Sequence, residues 1–409
     1  MAGLGFYPGD IYFPLVEEME KWSVVACDQY TAQPDYWQRV EKRVGDAPSS
    51  LRMIVPECYL GTPQEGERVA ATAAAMRRYV EEGVFRAATG FVYLRRTLRS
   101  GRVRQGLVGL LDLEQYDYRP GAQCPVRATE GTVLERIPPR VAVRRQALLE
   151  CPHIMLLVDD PEGTVIEPTA RRLGDLSQVY DFDLMEDSGH LQGFLCDDDE
   201  AVRVMGALRA LSLKSPFLFA VGDGNHSLAA AKAHYEEIKR SLPAGEAAMH
   251  PARYALAEVV NLHDPALDFE PIHRVVFDVD DEKLLAALRE ELAAAPGDGG
   301  QGVTLCLGER EERFAFGRQL ANLSVGTLQA FLDGYLAREG GRVDYIHGAE
   351  VVRRLARDEG CVGFLLEGME KESLFPTVAA DGALPRKTFS MGEAWDKRFY
   401  LECRPIAAG

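Results

Sequence analysis

The sequence lacks a surplus of positive charge and any long apolar run. Its 409 residues include 46 Lys and Arg against 63 Asp and Glu, which gives a net charge of −17. A surface that binds nucleic acid or an anionic membrane is expected to be basic, so neither partner is expected here. The longest apolar run, near 153–158, is far shorter than the ~20 residues that cross a bilayer. The first residues also lack the basic start and apolar stretch of a signal peptide. We therefore expect a cytoplasmic protein.

Closely spaced cysteine pairs and a Walker A motif are absent as well. The eight cysteines are scattered singly, which predicts neither a disulfide framework nor a zinc motif, and most are expected to be buried. One segment, GDGGQG at 297–302, matches the G-x-G-x-x-G pattern. In a dinucleotide-binding unit that pattern follows a strand and opens a helix, whereas here a predicted helix precedes it and a predicted strand follows. We therefore interpret it as a surface turn.

Composition and hydrophobic periodicity predict an α+β (mixed α/β) fold. Hydrophobic residues make up 46% and charged residues 27% of the chain, which is ordinary for a globular protein. At ~150 residues per domain the length suggests two or three domains. The patterns at 90–98 and 102–113 predict a hairpin, and the run at 153–160 predicts a central strand. We expect an N-terminal portion over 1–250 and a C-terminal α+β portion over 251–409, packed on the first with a shared cleft.

The segment FAVGDGNHSLAAAK at 219–232 carries the strongest functional signal. An apolar strand leads into a turn, and an Ala-rich helix follows from Ser227. Backbone N–H groups at a helix N-terminus attract an anion, and Gly222 and Gly224 would let the backbone turn sharply and approach a ligand. A turn capped by Asn225 or Ser227 without any ligand is the alternative on spacing alone.

Two side chains of this turn could perform chemistry. His226 could donate a hydrogen bond to a phosphate or carboxylate, or carry a proton near neutral pH. Asp223 could orient His226, hold a magnesium ion or act as a base. By contrast, Cys27 in the segment ACDQY has no adjacent His or Lys to lower its pKa, so we do not expect it to be a nucleophile.

Five segments spread along the chain carry a resemblance to a known family. They are WSVVACDQYTAQPDYW (22–37), GDGNHSLAAAK (222–232), HDPALDFEPIHRVV (263–276), VDYIHG (343–348) and LPRKTFSMGEAWDKRFYLECR (384–404). On these segments the sequence resembles the family known as domain of unknown function 1015, whose usual central motif is Asp-Gly-His-His-Arg. That motif is similar to the phosphate-cradling turn of the ParB, sulfiredoxin and free-serine-kinase superfamily. The resemblance implies a ParB/sulfiredoxin-like core with an additional mixed-sheet subdomain.

The resemblance also implies a phosphate or nucleotide site at Asp223, Gly224, Asn225 and His226. This chain has Asn225 where His is usual and Ser227 where Arg is usual. Losing the Arg removes a two-pronged phosphate donor, although the Ser227 hydroxyl and backbone N–H groups could still contact phosphate. An arginine from elsewhere could replace it, and the candidates are Arg127, Arg274 and Arg386.

Further candidates lie outside the turn. The stretch Arg127–Thr132 (RATEGT) is the closest match to the family's Arg/His-Glu-x-Thr signature. The resemblance therefore makes Glu130 a candidate general base and Thr132 a candidate ligand of phosphate or of a metal-bound water. A solvent-exposed loop is the alternative interpretation of this stretch. Asp28 and His273 are further candidates for the same cleft, Asp28 because the matching family segment usually has a Tyr-Asp pair.

These observations predict an enzyme that binds a nucleotide or a phosphorylated small molecule. A kinase-like phosphotransferase or a phosphate-ester hydrolase fits such a site, because phosphoryl transfer depends mostly on positioning and charge neutralisation. Magnesium held by Asp223 together with a nucleotide is the expected cofactor. The superfamily's serine kinase implies an amino acid or a small hydroxy acid as acceptor. A nucleotide sensor without turnover is the alternative, and the missing Arg favours it.

Overall fold

The computed structural model describes residues 3–31 and 33–408. The helices are α1 (Met19–Trp22), α2 (Pro34–Val44), α3 (Glu65–Glu81), α4 (Ile137–Gln146), α5 (Asp198–Lys214), α6 (Asn225–Ser241), α7 (Ala244–Met249), α8 (Asp281–Glu291), α9 (Ser324–Glu339), α10 (Ala349–Leu355) and α11 (Leu374–Asp381). In the described part of the chain, no helix is both long enough and apolar enough to cross a membrane.

Most strands are short. They are β1 (Phe6–Tyr7), β2 (Gly9–Pro14), β3 (Val24–Val25), β4 (Phe85–Gly90), β5 (Val92–Thr97), β6 (Val103–Asp112), β7 (Tyr116–Asp117), β8 (Val126–Ala128), β9 (Leu149–Glu150), β10 (Met155–Val158), β11 (Ser177–Asp183), β12 (His190–Leu195), β13 (Phe219–Asp223), β14 (Tyr254–Asn261), β15 (Phe269–Phe277), β16 (Ala295–Pro296), β17 (Gly302–Leu307), β18 (Arg310–Ala315), β19 (Arg342–His347), β20 (Val362–Leu365), β21 (Phe389–Met391), β22 (Phe399–Tyr400) and β23 (Arg404–Pro405). The predicted mixed α/β class is confirmed.

The chain forms two compact units that divide at different places from the sequence boundary at 250/251. Unit 1 contains Met1–Leu267 and Glu393–Gly409, and unit 2 contains Asp268–Gly392. The difference has two physical causes. Strand β14, which begins only at Tyr254, pairs inside the main sheet of unit 1, and the segment after Gly392 returns to unit 1 through β22 and β23.

Unit 1 is built on a ten-stranded mixed sheet. Its order is β11-β12-β5-β6-β14-β10-β13-β8-β7, with β1 also paired to β6. The predicted hairpin is formed by β5 and β6, where Val92 pairs with Val108. The predicted central strand is β10, which is buried along its whole length and lies between parallel β14 and antiparallel β13.

Both faces of this sheet are covered. Val92 and Tyr93 are neighbours on β5 but belong to different hydrophobic clusters, because successive side chains of a strand point to opposite faces. One cluster includes Trp37 of α2, and the other includes Leu208 of α5 and Leu228 of α6. Helix α6 is therefore fixed against the sheet directly after the turn that begins it.

A buried ion-pair network holds the returning segment in unit 1. Arg398, 4% exposed, donates to the carboxylates of Glu258 at 2.5 Å and Glu402 at 2.7 Å. Tyr180 donates its hydroxyl proton to the other oxygen of Glu402. Burial opposes the charge of Arg398, but the carboxylates of Glu402 and Glu258 raise its pKa overall. The network thereby joins β11, β14 and the segment around β22.

Unit 2 has its own sheet and core. The strand order is β16-β18-β17-β20-β15-β19, with β21 paired to one end of β15. Its hydrophobic cluster joins α8 and α9 to the sheet through Leu288, Leu328 and Phe364. The segment GDGGQG connects the short strand β16, which lies between it and α8, to strand β17, so no helix begins at this segment. Its interpretation as a turn is confirmed.

We expect Arg398→Met to leave the carboxylates of Glu258 and Glu402 buried without their cation. Breaking a buried ion pair from one side should lower the free energy of unfolding by about 3–5 kcal/mol, measured by urea denaturation. Arg78→Met is the control, because the Arg78 side chain is 58% exposed and its distance to Glu82 is 3.9 Å. The free energy of unfolding of Arg78→Met should be at most about 0.5 kcal/mol lower than that of the wild type. Equal losses in both variants would contradict a stabilising role for the network.

Candidate functional site

The turn at Gly222–Ser227, called here the 222–227 turn, has the predicted strand–turn–helix geometry. Strand β13 ends at Asp223 and α6 begins at Asn225, with Gly224 between them at φ +80°. The Gly224 N–H donates to Asp223 Oδ1 at 2.9 Å. A Cβ on Gly224 would lie 3.2 Å from the Cα of Ile154. Both the positive φ and this close contact require glycine at this position.

The start of α6 presents backbone donors. Its first helical hydrogen bond of the i to i−4 type runs from Leu228 N–H to Gly224 C=O at 2.9 Å. The N–H groups of residues 225–227 therefore precede the hydrogen-bonding ladder of the helix. Among the described residues, no side chain caps this end of α6. The positive end of the helix dipole is thus directed at the turn.

The predicted second segment lies beside the turn. Strand β8 runs parallel to β13 with Ala128 opposite Val221, and Thr129 Oγ1 donates to the Val221 carbonyl at 2.6 Å. Glu130, which is half-buried, lies two residues beyond the end of β8. The structure therefore brings the candidate base Glu130 to the same edge of the sheet as the turn.

His226 links the turn to the residues that follow Thr132. The Val133 N–H donates to His226 Nε2 at 3.3 Å. Because Nε2 accepts this hydrogen bond, the neutral ring carries its proton on Nδ1. His226 thus holds the 129–133 loop against the start of α6.

Three buried side-chain oxygens around the turn accept or donate no hydrogen bond within the described part of the chain. They are Asp223 Oδ2, Asn225 Oδ1 and Thr132 Oγ1. Buried polar atoms are nearly always paired, and each unpaired one costs about 1–3 kcal/mol. Three such atoms lie on this turn and its neighbouring loop.

A lysine supplies positive charge at the turn. Lys397 Nζ lies 3.7 Å from Asp223 Oδ2, and the two side chains are only 11% and 16% exposed. The backbone on both sides of Lys397 is fixed, because Arg96 donates to the carbonyls of Trp395 and Lys397 and Arg104 donates to the carbonyl before Lys397. Sequence reasoning missed Lys397, although it lies in one of the segments that carry the family resemblance.

The predicted replacement Arg127 does not reach the turn. Its guanidinium lies 4.5 Å from the ring centroid of Phe217 and donates to the Cys124 carbonyl at 3.0 Å. Phe217 precedes β13, whereas the turn follows the end of β13. Burial lowers the pKa of Arg127, and its side chain lies at the opposite end of the strand.

The remaining predicted cations belong to unit 2. Arg274 is fully buried and donates to the carbonyls of Lys387 and Arg386, both at 2.9 Å. The Arg386 side chain is itself 3.0 Å from Asp333. His273 accepts a backbone N–H at Nδ1, and burial followed by the charge of Arg274 lowers its pKa to about 4. Within unit 2, Arg274 and His273 therefore have structural partners.

Asp28 belongs to a cluster around His153, which sequence reasoning had treated only as part of a strand. His153 Nε2 lies 3.8 Å from Asp28 Oδ1, and Nδ1 is hydrogen-bonded to the Tyr400 hydroxyl at 3.1 Å. That hydroxyl also accepts the Cys27 N–H at 2.9 Å, so Tyr400 joins His153 to the segment that carries Asp28. The His153 ring packs against Gly224, where a Cβ would be 3.6 Å from Cδ2.

A cavity of about 140 Å³ adjoins the turn. Ser227 and Ala230 of α6 form one wall, and His153 and Tyr400 belong to another. The remaining lining is largely apolar and includes Met53, Ile54, Val55, Leu60, Met76, Pro139, Val143, Ala147, Leu149, Ile154 and Ile406. The polar turn and an apolar cavity thus meet at Ser227.

Within the described residues, no group of three or more His, Cys, Asp and Glu side chains is arranged to hold a metal ion. At the turn, Asp223 is joined by amide and hydroxyl oxygens rather than by further carboxylates. Magnesium sites commonly combine one or two carboxylates with phosphate oxygens of the substrate. The oxygens present therefore fit magnesium only when a phosphate-bearing ligand supplies the rest of its coordination.

Gly224→Ala tests the close contact at the turn. Gly121 has a similar φ of +77° with nothing within 4 Å of its added Cβ, so Gly121→Ala is the matched control. Both substitutions place alanine in the left-handed backbone region, which costs about 1–2 kcal/mol of stability. Only the Cβ at position 224 would contact Ile154. We therefore expect Gly224→Ala to lower the free energy of unfolding, measured by urea denaturation, by about 1–2 kcal/mol more than Gly121→Ala does. Similar losses in the two variants would contradict the tight packing.

The Cys27 thiol should be unreactive in the folded protein. Burial, and then the charge of Asp28, raise the pKa of Cys27 to about 12. At pH 8 its thiolate fraction is low enough that iodoacetamide should modify it about 10³-fold more slowly than in the urea-unfolded chain. The rate should increase about tenfold for each pH unit towards that pKa. Rapid alkylation of native Cys27, measured by peptide mass spectrometry, would restore the nucleophile interpretation.

Comparisons with solved structures found several proteins of similar shape. Free serine kinase in complex with AMP has 10% sequence identity and a TM-score of 0.40, covering 71% of this chain and 90% of that chain. SbnI with a C-terminal truncation from Staphylococcus aureus has 11% identity and a TM-score of 0.38, covering 70% and 82%. Both TM-scores are below 0.5, so neither similarity carries an argument about this chain.

A conserved hypothetical protein from Pyrococcus furiosus is also similar, with 11% identity, a TM-score of 0.38, and coverage of 71% of this chain and 93% of that chain. No curated protein matches the sequence. A family model matches residues 13–335, which is most of the chain. The chain therefore belongs to the family described as "Protein of unknown function (DUF1015)".

Proposed function

We propose that the 222–227 turn binds the phosphate end of a nucleotide or other phosphorylated small molecule together with magnesium, and that the protein is a small-molecule phosphotransferase. The observation that carries this proposal is the set of three buried oxygens of Asp223, Asn225 and Thr132 that have no hydrogen-bond partner in the described part of the chain. They surround a helix N-terminus that has backbone donors. Acceptor oxygens suit a cation and backbone N–H groups suit an anion, so a magnesium-bound phosphate satisfies both.

The charges at the turn support the same ligand. Lys397 Nζ lies near Asp223, so an arriving phosphate group meets a cation as well as the positive end of the α6 dipole. Lys397 takes the role of the family's Arg as a point charge rather than a two-pronged donor. Magnesium, when bound through Asp223, Asn225 and Thr132, neutralises charge on the phosphate oxygens.

We propose Glu130 as the general base, because it follows the end of β8, which runs parallel to β13 and therefore ends at the same edge of the sheet as Asp223. In the proposed reaction, an acceptor hydroxyl oxygen bonds to the transferred phosphorus. The bond from that phosphorus to the bridging oxygen of the nucleotide breaks, and the nucleotide leaves with that electron pair. The hydroxyl proton passes to the Glu130 carboxylate.

Ligand-induced thermal shifts with variants of the turn test the binding site. We expect ATP or ADP with Mg²⁺ to raise the Tm of the wild type, since a ligand at 100 times its Kd stabilises by about 2.7 kcal/mol. Asp223→Asn and Lys397→Met should each weaken binding by about tenfold or more, because each removes a charge that contacts the ligand. AMP and inorganic phosphate are further probes.

The controls for this experiment match the substitutions. Asp298→Asn alters an exposed Asp of the 297–302 turn, and Lys214→Met removes a Lys whose side chain is 66% exposed. Both should bind nucleotide like the wild type. The proposed binding site is wrong if nucleotides leave the Tm of every protein unchanged. It is also wrong if they raise the Tm of the turn variants as much as that of the controls.

Turnover is tested separately from binding. We expect ³¹P NMR of ATP with Mg²⁺ and a hydroxyl-bearing acceptor to reveal a new phosphate ester, and Glu130→Gln to slow its formation by about 10²–10⁴-fold with little change in nucleotide affinity. Nucleotide binding without any loss of ATP across acceptors would instead support the nucleotide-sensor alternative, which the Ser at position 227 favours.

A further inference from the structure

The cavity beside the 222–227 turn extends beyond the volume a phosphate group needs. Its volume is about 140 Å³, and apolar side chains from α3, α4, α6 and the 147–154 segment form most of its wall. An apolar protein cavity of about 150 Å³ accommodates benzene. The cavity therefore matches an apolar group of roughly that size.

The charged residues of the wall already have partners of opposite charge. Arg140 lies 2.6 Å from Glu57, and Arg144 lies 2.7 Å from Glu150. Glu150 also accepts the Leu256 N–H at 2.7 Å. Each formally charged group that a ligand brought into this cavity would lose its hydration without gaining an equivalent partner. The wall therefore favours an uncharged ligand over the zwitterion of an amino acid.

One part of the wall is polar and faces the turn. Ser227 in the first turn of α6 and His153 beside Gly224 both line the cavity. A ligand whose apolar part occupies the cavity would present a polar substituent to this part of the wall. A hydroxyl group there could exchange hydrogen bonds with the Ser227 hydroxyl.

We infer that this cavity binds the apolar part of a small, uncharged alcohol of about benzene size, with its hydroxyl directed at Ser227 and the 222–227 turn. The role of that hydroxyl as phosphoryl acceptor rests on the proposed function. The binding site itself does not, because it is argued from the cavity walls alone.

Methionine NMR on the wild-type protein tests the site directly. With the probes benzyl alcohol and toluene, we expect aromatic ring currents to shift the methyl signals of Met53 and Met76, which line the cavity. The signal of Met249, which is 85% exposed, should not move. Assignment uses Met53→Leu and Met76→Leu. Unchanged Met53 and Met76 signals at saturating concentrations of both probes would overturn the inference.

A cavity-filling variant gives an independent test. Val143 of α4 is half-buried and lines the cavity. The larger side chain of Val143→Phe should fill the cavity and abolish the increase in Tm that benzyl alcohol causes. The matched control is Val202→Phe on α5, where the side chain is 73% exposed. This control should keep the shift, which is about 2–5 °C at ten times the Kd. Loss of binding in both variants, or in neither, would contradict the site.

The orientation of the alcohol is tested at Ser227. Ser227→Ala should weaken the binding of benzyl alcohol by about 2–12-fold, which is the effect of losing one hydrogen bond. The affinity for toluene, which has no hydroxyl, should not change. L-Serine should not compete with benzyl alcohol for the Met53 and Met76 shifts. Competition by L-serine, or an equal effect of Ser227→Ala on both probes, would overturn the assigned ligand class.

Failure of this inference can be separated from failure of the proposed function by using Asp223→Asn, which removes a charge of the turn but does not line the cavity. Benzyl alcohol should bind this variant like the wild type. If benzyl alcohol binds and no nucleotide does, the cavity is supported and the proposed function is wrong. If nucleotides bind and neither probe does, the cavity inference is wrong and the proposed function remains.

Discussion

The architecture of the site depends on the burial of Arg398 between two carboxylates. Taking three charges out of water is costly, so the pairing tolerates little displacement. Arg398 and Lys397 are adjacent, and the contacts of Arg398 with Glu258 and Glu402 fix the register of the whole segment. Its neighbour Lys397 then lies beside Asp223. A core interaction thereby determines where the cation of the candidate site is found.

Two unlike environments meet at the first turn of α6. On one side are backbone donors, unpaired oxygens and a lysine, and on the other is a cavity lined mostly by apolar side chains. Gly224 makes this junction possible, because a larger residue would collide with Ile154 beneath the turn. His153 supports the junction from below through Tyr400. Such a junction suits a molecule with one polar reacting end and one apolar end.

The features that the sequence predicted well are local. The strand–turn–helix around Gly224, the β5–β6 hairpin and the central strand β10 all follow from periodicity and turn residues within short windows. The parallel pairing of β8 with β13 brings the segments that carry Glu130 and Asp223 to the same edge of the sheet. The turn at 297–302 was correctly separated from dinucleotide-binding turns, because it leads into strand β17 and not into a helix.

The features that escaped prediction depend on distant partners. Nothing near Lys397 in the sequence indicates that its ammonium faces Asp223, and His153 resembles any residue at the start of a buried strand. Arg127 was a reasonable phosphate ligand by position, but its direction is set by the ring of Phe217. The compact units divide elsewhere than at 250/251 for a related reason, since a strand such as β14 does not reveal from its own sequence which sheet it joins.

The return of residues 393–408 to unit 1 has a consequence for synthesis on the ribosome. The chain emerges from its N-terminus, so the 222–227 turn and the cavity walls from α3, α4 and α6 are made long before Lys397 and Tyr400. All of unit 2 must be translated in between. The nascent protein therefore carries an incomplete site, and a β3 edge that still lacks its partner β22, until residues 397–400 have been translated. During that interval, chaperones rather than native contacts would have to protect this face of unit 1.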